Sequence, residues 1–100
     1  MFTVGKTTFD MAHRRGLALT VESDCTDDGS ALLCFWERDE ESEWIFSYRF
    51  DDRGLIWNGN VYAKSFLVKT MPKIISDEAE LRNVVRMLGS KRLNRWLNKS

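Results

Sequence analysis

The sequence holds a single proline, a single histidine and two cysteines, and each scarcity removes a class of protein. Two cysteines, Cys25 and Cys34, cannot staple a small secreted scaffold, which needs several bridges. They form no C-x-x-C pair and stand at no zinc-site spacing, so no metal or other cofactor is expected. One histidine, His13 beside Arg14 and Arg15, is a poor start for nucleophilic catalysis, which needs a positioned base. No apolar run approaches the ~18 residues of a membrane-spanning helix. The N-terminus, MFTVGKTTFDMAHRRG, lacks the basic-then-apolar build of a signal peptide. A cytoplasmic, thiol-reduced protein is the expectation. Repeats and low-complexity segments are missing too. What is present, 43% apolar residues with twelve aromatic rings in 100 positions, suffices for one domain, residues 1–100, with one core.

The formal charge is zero, but the charges are segregated. Residues 22–52 carry eleven acids against two bases, a net of −9, whereas residues 53–100 carry ten bases against three acids, a net of +7. From Arg82 onward there are six bases and no acid.

Along the chain, residues 1–16 read as a short segment followed by a brief helix. Thr7 or Thr8 would cap it, Arg14 and Arg15 would complement its negative end, and Gly16 would supply a left-handed exit. Phe9 with Ala12 or His13 would face inward. Residues 17–70 read as sheet. Leu17, Leu19 and Val21 alternate with Ala18, Thr20 and Glu22, ALLCFWE resumes after DCTDDGS, and EWIFSYRF alternates Trp44, Phe46, Tyr48 and Phe50 on one side. DDRG turns the chain, and Asn58-Gly59 is the strongest two-residue hairpin signal. NVYAKSFLVKT then reads as the fifth strand. Pro72, expected trans, ends the sheet. A C-terminal helix or helix pair over 76–98 starts at a Ser76 cap and buries Leu81, Val84, Val85 and Leu88 at helical spacing. Gly89-Ser90 breaks it, and Leu93, Trp96 and Leu97 form a second stripe out of phase with the first.

The fold expected is therefore α+β: a five-stranded antiparallel meander with a short N-terminal helix and a broken C-terminal helix packed on one face. In that fold the rings of CFWERDEESEWIFSYRF either form a platform for stacking bases or fill the core. Nucleic-acid platforms sit in basic surroundings, and here Glu37, Asp39, Glu40, Glu41, Glu43, Asp51 and Asp52 flank the rings. The sheet also needs one apolar face for the helix. The core reading is favoured.

Other motifs weaken on inspection. DCTDDG matches a calcium loop at its first, fifth and sixth positions but has Thr26 at the third and Phe35 where a bidentate Glu belongs. Cys25 faces Cys34 or lies diagonal to it, depending on hairpin register. Asp51-Asp52 sits in a turn, and no convergent catalytic set is visible, so no enzyme activity is expected.

GSKRLNRWLNKS is different. As a helix it sets Lys91, Arg92, Arg95 and Lys99 beside an apolar edge of Leu93, Trp96 and Leu97, with Arg86 extending the basic face. That edge either packs on the domain or docks a partner, since Trp and Arg dominate interface energetics. The function expected is a non-enzymatic interaction protein that binds and modulates a larger protein with an acidic or phosphate-binding groove, for example a nucleic-acid-processing enzyme. The alternative is direct nucleic-acid binding through the basic C-terminal helix.

Overall fold

The computed structural model describes residues 2–23, 26–89, 93 and 95–97. The elements run α1 (Lys6–Arg14), β1 (Leu17–Glu22), β2 (Leu32–Glu37), β3 (Phe46–Asp51), β4 (Gly54–Asn60), α2 (Ser65–Thr70), β5 (Ile74–Ile75) and α3 (Glu78–Leu88). The five strands pair antiparallel in chain order, so the class is α+β and the sheet is a meander. Polar breaks join the first four strands, so neighbours in sequence become neighbours in space, and the chain returns to β4 as β5 after α2.

One face of the sheet carries Leu17, Leu19, Leu33, Phe35, Phe46, Tyr48, Leu55 and Ile75, all buried, and their cluster includes Met11 and Ala12 of α1, Leu67 of α2 and Leu81, Val84, Val85 and Leu88 of α3. The rings of Phe35 and Phe46 lie 4.6 Å apart by centroids, and Trp57 meets Phe46 and Tyr48 at 5.3 Å each. Buried rings in offset and edge contacts add stability beyond the area they bury. The Tyr48 hydroxyl donates to the Pro72 carbonyl at 2.7 Å, which ties the loop before β5 to the middle of the sheet. Burial pushes the Tyr48 pKa upward.

Trp44 is not on that face. Ile45 and Phe46 are both buried in the core, which breaks the alternation at the start of β3. Trp44 is thereby delivered to Trp36, at 5.7 Å, whose indole N–H donates to the Thr20 hydroxyl on the opposite face. Leu32 and Cys34 are also buried outside the core cluster. Cys34 sits opposite Thr20, so the register in which the two cysteines face each other is excluded; Cys25 itself lies outside the described residues.

Several local expectations change. Asn58-Gly59 makes no hairpin. Gly59 faces Ser47 and Trp57 faces Tyr48, which leaves Asn58 as the extra residue of a β-bulge, its amide donating to the Ser47 hydroxyl at 3.0 Å. A bulge needs the same small, turn-tolerant residues as a hairpin, so the pair's chemistry was right and its use was not. The segment read as the fifth strand is α2 instead. Ala63, Leu67 and Met71, all buried, recur at intervals of four, a helical spacing. Pro72 does not end the sheet, because the two-residue β5 follows it and pairs with Leu55 and Ile56. Among the described residues no peptide bond is cis.

The helix caps also differ from the simple pattern. Asp77, not Ser76, caps α3 by accepting the Glu80 N–H at 2.9 Å, and the Glu80 carboxylate accepts from Ser76 N–H. In α1 the N-cap is Gly5, which has no side chain to offer. Its place is taken from α3: Glu78 Oε2 accepts the Thr8 hydroxyl at 2.7 Å and the Gly5 N–H at 2.6 Å. Thr8 is thus a buried link between helices, while Met11 and Ala12 fill the inner face and His13 stays exposed.

This carboxylate should make stability depend on pH. The Thr8 hydroxyl, then the Gly5 N–H, and more weakly Arg82 hold the Glu78 pKa below its ordinary 4.5. A depressed carboxylate stabilises the fold fully above its unfolded value, and the contribution is lost as pH falls through the folded pKa. Glu78→Ala is expected to cost about 1 kcal/mol at neutral pH, the usual effect of losing a cap, held low because the side chain is 32% exposed. The check is denaturant unfolding of both proteins at descending pH. The gap should be constant down to about 4.5 and narrow below it; a gap that widens on acidification would contradict the assignment.

Candidate interaction surface

α2 is short and lies on the surface, with only Leu67 of its six residues buried. Its outer face presents Phe66, Lys69 and Thr70 at helical spacing, and the Thr70 hydroxyl closes back on the Phe66 carbonyl at 2.7 Å. Phe66 is 48% exposed, a large share for an aromatic ring. The chain from Arg53 to Ser76 carries Arg53, Lys64, Lys69 and Lys73 and no acid. Lys73 and Ile74, both exposed, continue this apolar and basic character past α2.

Against α2 lies the end of the chain. Leu93 and Leu97 are buried in the core cluster, and residues 95 and 96 belong to a single short turn. Lys64 N–H donates to the Trp96 carbonyl at 2.7 Å, and Ala63 bridges Leu97 in antiparallel fashion. Trp96 lays its indole on Phe66, with centroids 5.0 Å apart and planes 40° from one another. Half-buried, Trp96 also packs against the core, and its Nε1–H is enclosed without an acceptor among the described residues. Arg95 is exposed beside it.

The sequence-predicted set therefore divides. Arg95 and Trp96 are brought together on one surface, with Trp96 serving packing and surface at once. Arg86 is exposed on α3, where it donates to Asn83 at 2.8 Å, and no described contact links it to the Trp96 turn. Lys91, Arg92 and Lys99 lie outside the described residues. The break after α3 falls at Gly89, as the phase shift of the two apolar stripes implied. Phe66, Lys64 and Lys69 were missed because their segment was read as strand. The Ala63–Leu67–Met71 spacing was the available signal.

The other aromatic surface is acidic. Beside the Trp36–Trp44 pair runs the 38–45 loop with Asp39, Glu40, Glu41 and Glu43 exposed. Next to it the Tyr62 hydroxyl donates to Glu37 at 2.9 Å, and its pKa is driven up by burial and then by Glu37, Glu40 and Glu43. A site for phosphate would not be built there, because unlike charge is what holds the backbone of a nucleic acid. Thus the two charge regions of the sequence meet different rings. Among the described residues no group of three His, Cys, Asp or Glu is placed to hold a metal ion, and no helix is long and apolar enough to cross a membrane. No family model, no curated protein and no solved structure matches the chain.

Proposed function

We propose that the protein is a non-enzymatic interaction protein of the cytoplasm, which binds and modulates a larger protein through the surface of α2 and the Trp96 turn. The observation that carries this reading is Phe66. Its ring is half exposed, rests on Trp96 and has Lys64, Lys69 and Arg95 as its basic company. An exposed aromatic held by a second ring is rigid, so little entropy is lost on docking, and an adjoining guanidinium suits a carboxylate or phosphate rim. The complementary partner is a groove that is apolar at its centre and acidic, or built to receive phosphates, at its edge. An enzyme that processes nucleic acid has such grooves, and occupying one would inhibit it.

Direct nucleic-acid binding is the second reading, favoured by the same ring among cations, since bases stack on exposed aromatics. Affinity capture with and without nuclease separates the two, and salt titration of the captured complex refines the answer. Phosphate neutralisation gives a steep logarithmic loss of affinity with salt, and a mixed protein interface gives a shallow one.

Phe66→Ala is expected to weaken the protein complex by about 2 kcal/mol, as for an anchoring aromatic, while costing the isolated fold less than that, about 1 kcal/mol at most, because the ring is half exposed and lies outside the core cluster. Lys69→Glu should act mainly on the association rate. Trp96→Ala should reduce both binding and stability, because the indole also packs on the core. Calorimetry with the captured partner, beside unfolding of the free variants, checks all three. Unaltered affinity in Phe66→Ala removes α2 from the interface.

A further inference from the structure

We propose that the cleft between the N-terminal segment and the sheet binds an extended, basic segment of a partner protein, with a large apolar residue two positions from a lysine or arginine. Phe2 and Val4 line it from the segment before α1, with Val21 near the end of β1 and Phe50 near the end of β3. Its volume of about 530 Å³ is that of ligand-binding clefts, roughly 300–1,000 Å³. The lining is accessible. Val21 is 49% exposed, and Phe2, Val4 and Phe50 are half-buried, packing against the core on one side only. Phe2 meets Phe50 edge to face at 6.4 Å, which seats the N-terminal segment on the sheet.

Charge selects the occupant. Asp51 and Asp52 border the apolar half, and Asp52 also borders an adjoining hollow of about 370 Å³ with Asp77 and Glu78. Phe2 and Thr3 line both, so the two form one cleft with an apolar and an acidic half. Three of the carboxylates are engaged within the fold: Arg49 and Arg53 hold Asp51, Asp77 caps α3 and Glu78 links the helices. Arg53, the cation lining the acidic half, is thereby paired. Asp52 is exposed and pairs with no described residue. The unpaired charge where the halves join is therefore negative, which suits a cation carried beside an apolar group. Thr3 favours a peptide as its carrier. It is exposed, and no described residue hydrogen-bonds to its backbone, which leaves those groups to an extended chain. Successive side chains of such a chain point to opposite sides, so the apolar and basic residues must stand two apart to enter one cleft. The cleft shares no residue with α2 and stands or falls independently of it.

The experiment titrates a capped peptide, Ser-Leu-Ser-Lys written twice, into the isotope-labelled full chain and follows its amide resonances. The expected result is a saturable shift at Val4, Val21 and Asp52. Replacing the lysines by glutamate, or the leucines by alanine, should weaken binding roughly ten-fold or more. Val21→Lys and Asp52→Lys, both at exposed positions, should do the same to the original peptide while the circular dichroism spectrum stays unchanged. Asp52→Asn serves where the lysine disturbs the turn. Phe66→Ala should leave this affinity as it was, which separates the cleft from α2. Hexylammonium, an apolar body with a cationic head and no backbone, should bind at least ten-fold more weakly than the peptide; equal affinity makes the cleft a small-molecule site and overturns the peptide. Sedimentation velocity of the chain alone should show one chain's mass, and a dimer that Val21→Lys dissociates makes a second copy the occupant instead. An absence of shifts, shifts confined to the acidic 38–45 loop, or binding indifferent to both substitutions overturns the proposal.

Discussion

Phe46→Ala is expected to lower stability by about 3–5 kcal/mol, the usual cost of deleting a buried aromatic. Phe46 is fully buried and touches three other rings, Phe35 at 4.6 Å, Trp57 at 5.3 Å and Tyr48 at 6.1 Å. It lies in the middle of the sheet, paired with Phe35 on one side and Asn60 on the other. Neighbours held by that many partners relax little into a void, so the cavity term adds to the transfer term. Trp44→Ala should cost much less, about 1 kcal/mol, although the indole is larger. It is only half buried, meets one ring, Trp36, and lies outside the core cluster. Chemical unfolding of the two variants is the check. Equal costs would mean that Trp44 shares the core face and that the break in alternation at Ile45–Phe46 is misplaced.

That pair of residues shows where the sequence could be read and where it could not. Alternation from Phe46 to Phe50 located β3 and its buried face, because burial on one side of a strand enforces a period of two. The extension of that pattern to Trp44 failed. At Ile45 two successive apolar residues both turn inward, and nothing in a period-two pattern announces such a shift. The Asn58-Gly59 pair failed for a related reason: hairpin and bulge ask the same of the backbone, and only the partner strand decides between them. The meander itself was legible in the turn chemistry, but its last strand was sought too early. β5 has two residues, too few to carry a period, and the segment before it mixes Val, Phe and Lys in a way that suits strand and helix alike. For the surface, Arg95 and Trp96 stood out by residue type alone. Phe66 did not, because its exposure depends on α2 being a helix, and Trp96 gave no hint that it packs and presents a face at the same time.

Gly54→Ala is expected to destabilise the protein by about 3 kcal/mol or more, well above the ordinary cost of placing a side chain at a positive φ. Two terms combine. Gly54 has φ of 129°, a conformation that L residues avoid. Its added Cβ would also run into the Ile75 carbonyl and stand 3.1 Å from Ser76 Cα. Both are backbone atoms, so no rotamer change relieves the overlap; β4 and β5 must part. Ile75 is fully buried and pairs with Leu55, and β5 leads directly to the Asp77 cap of α3. Displacing it therefore loosens the seam between sheet and helix. Gly16 supplies the control. It also has a positive φ, 86°, but a Cβ there meets nothing within 4 Å. Gly16→Ala should cost about 1 kcal/mol, the conformational term alone. The measurement is denaturant unfolding of both variants, with amide exchange at Ile75 as the local probe. Gly54→Ala should abolish protection at Ile75, and Gly16→Ala should leave it intact. If the two substitutions cost the same, the close approach of β4 to β5 is wrong, and the fifth strand of the meander falls with it.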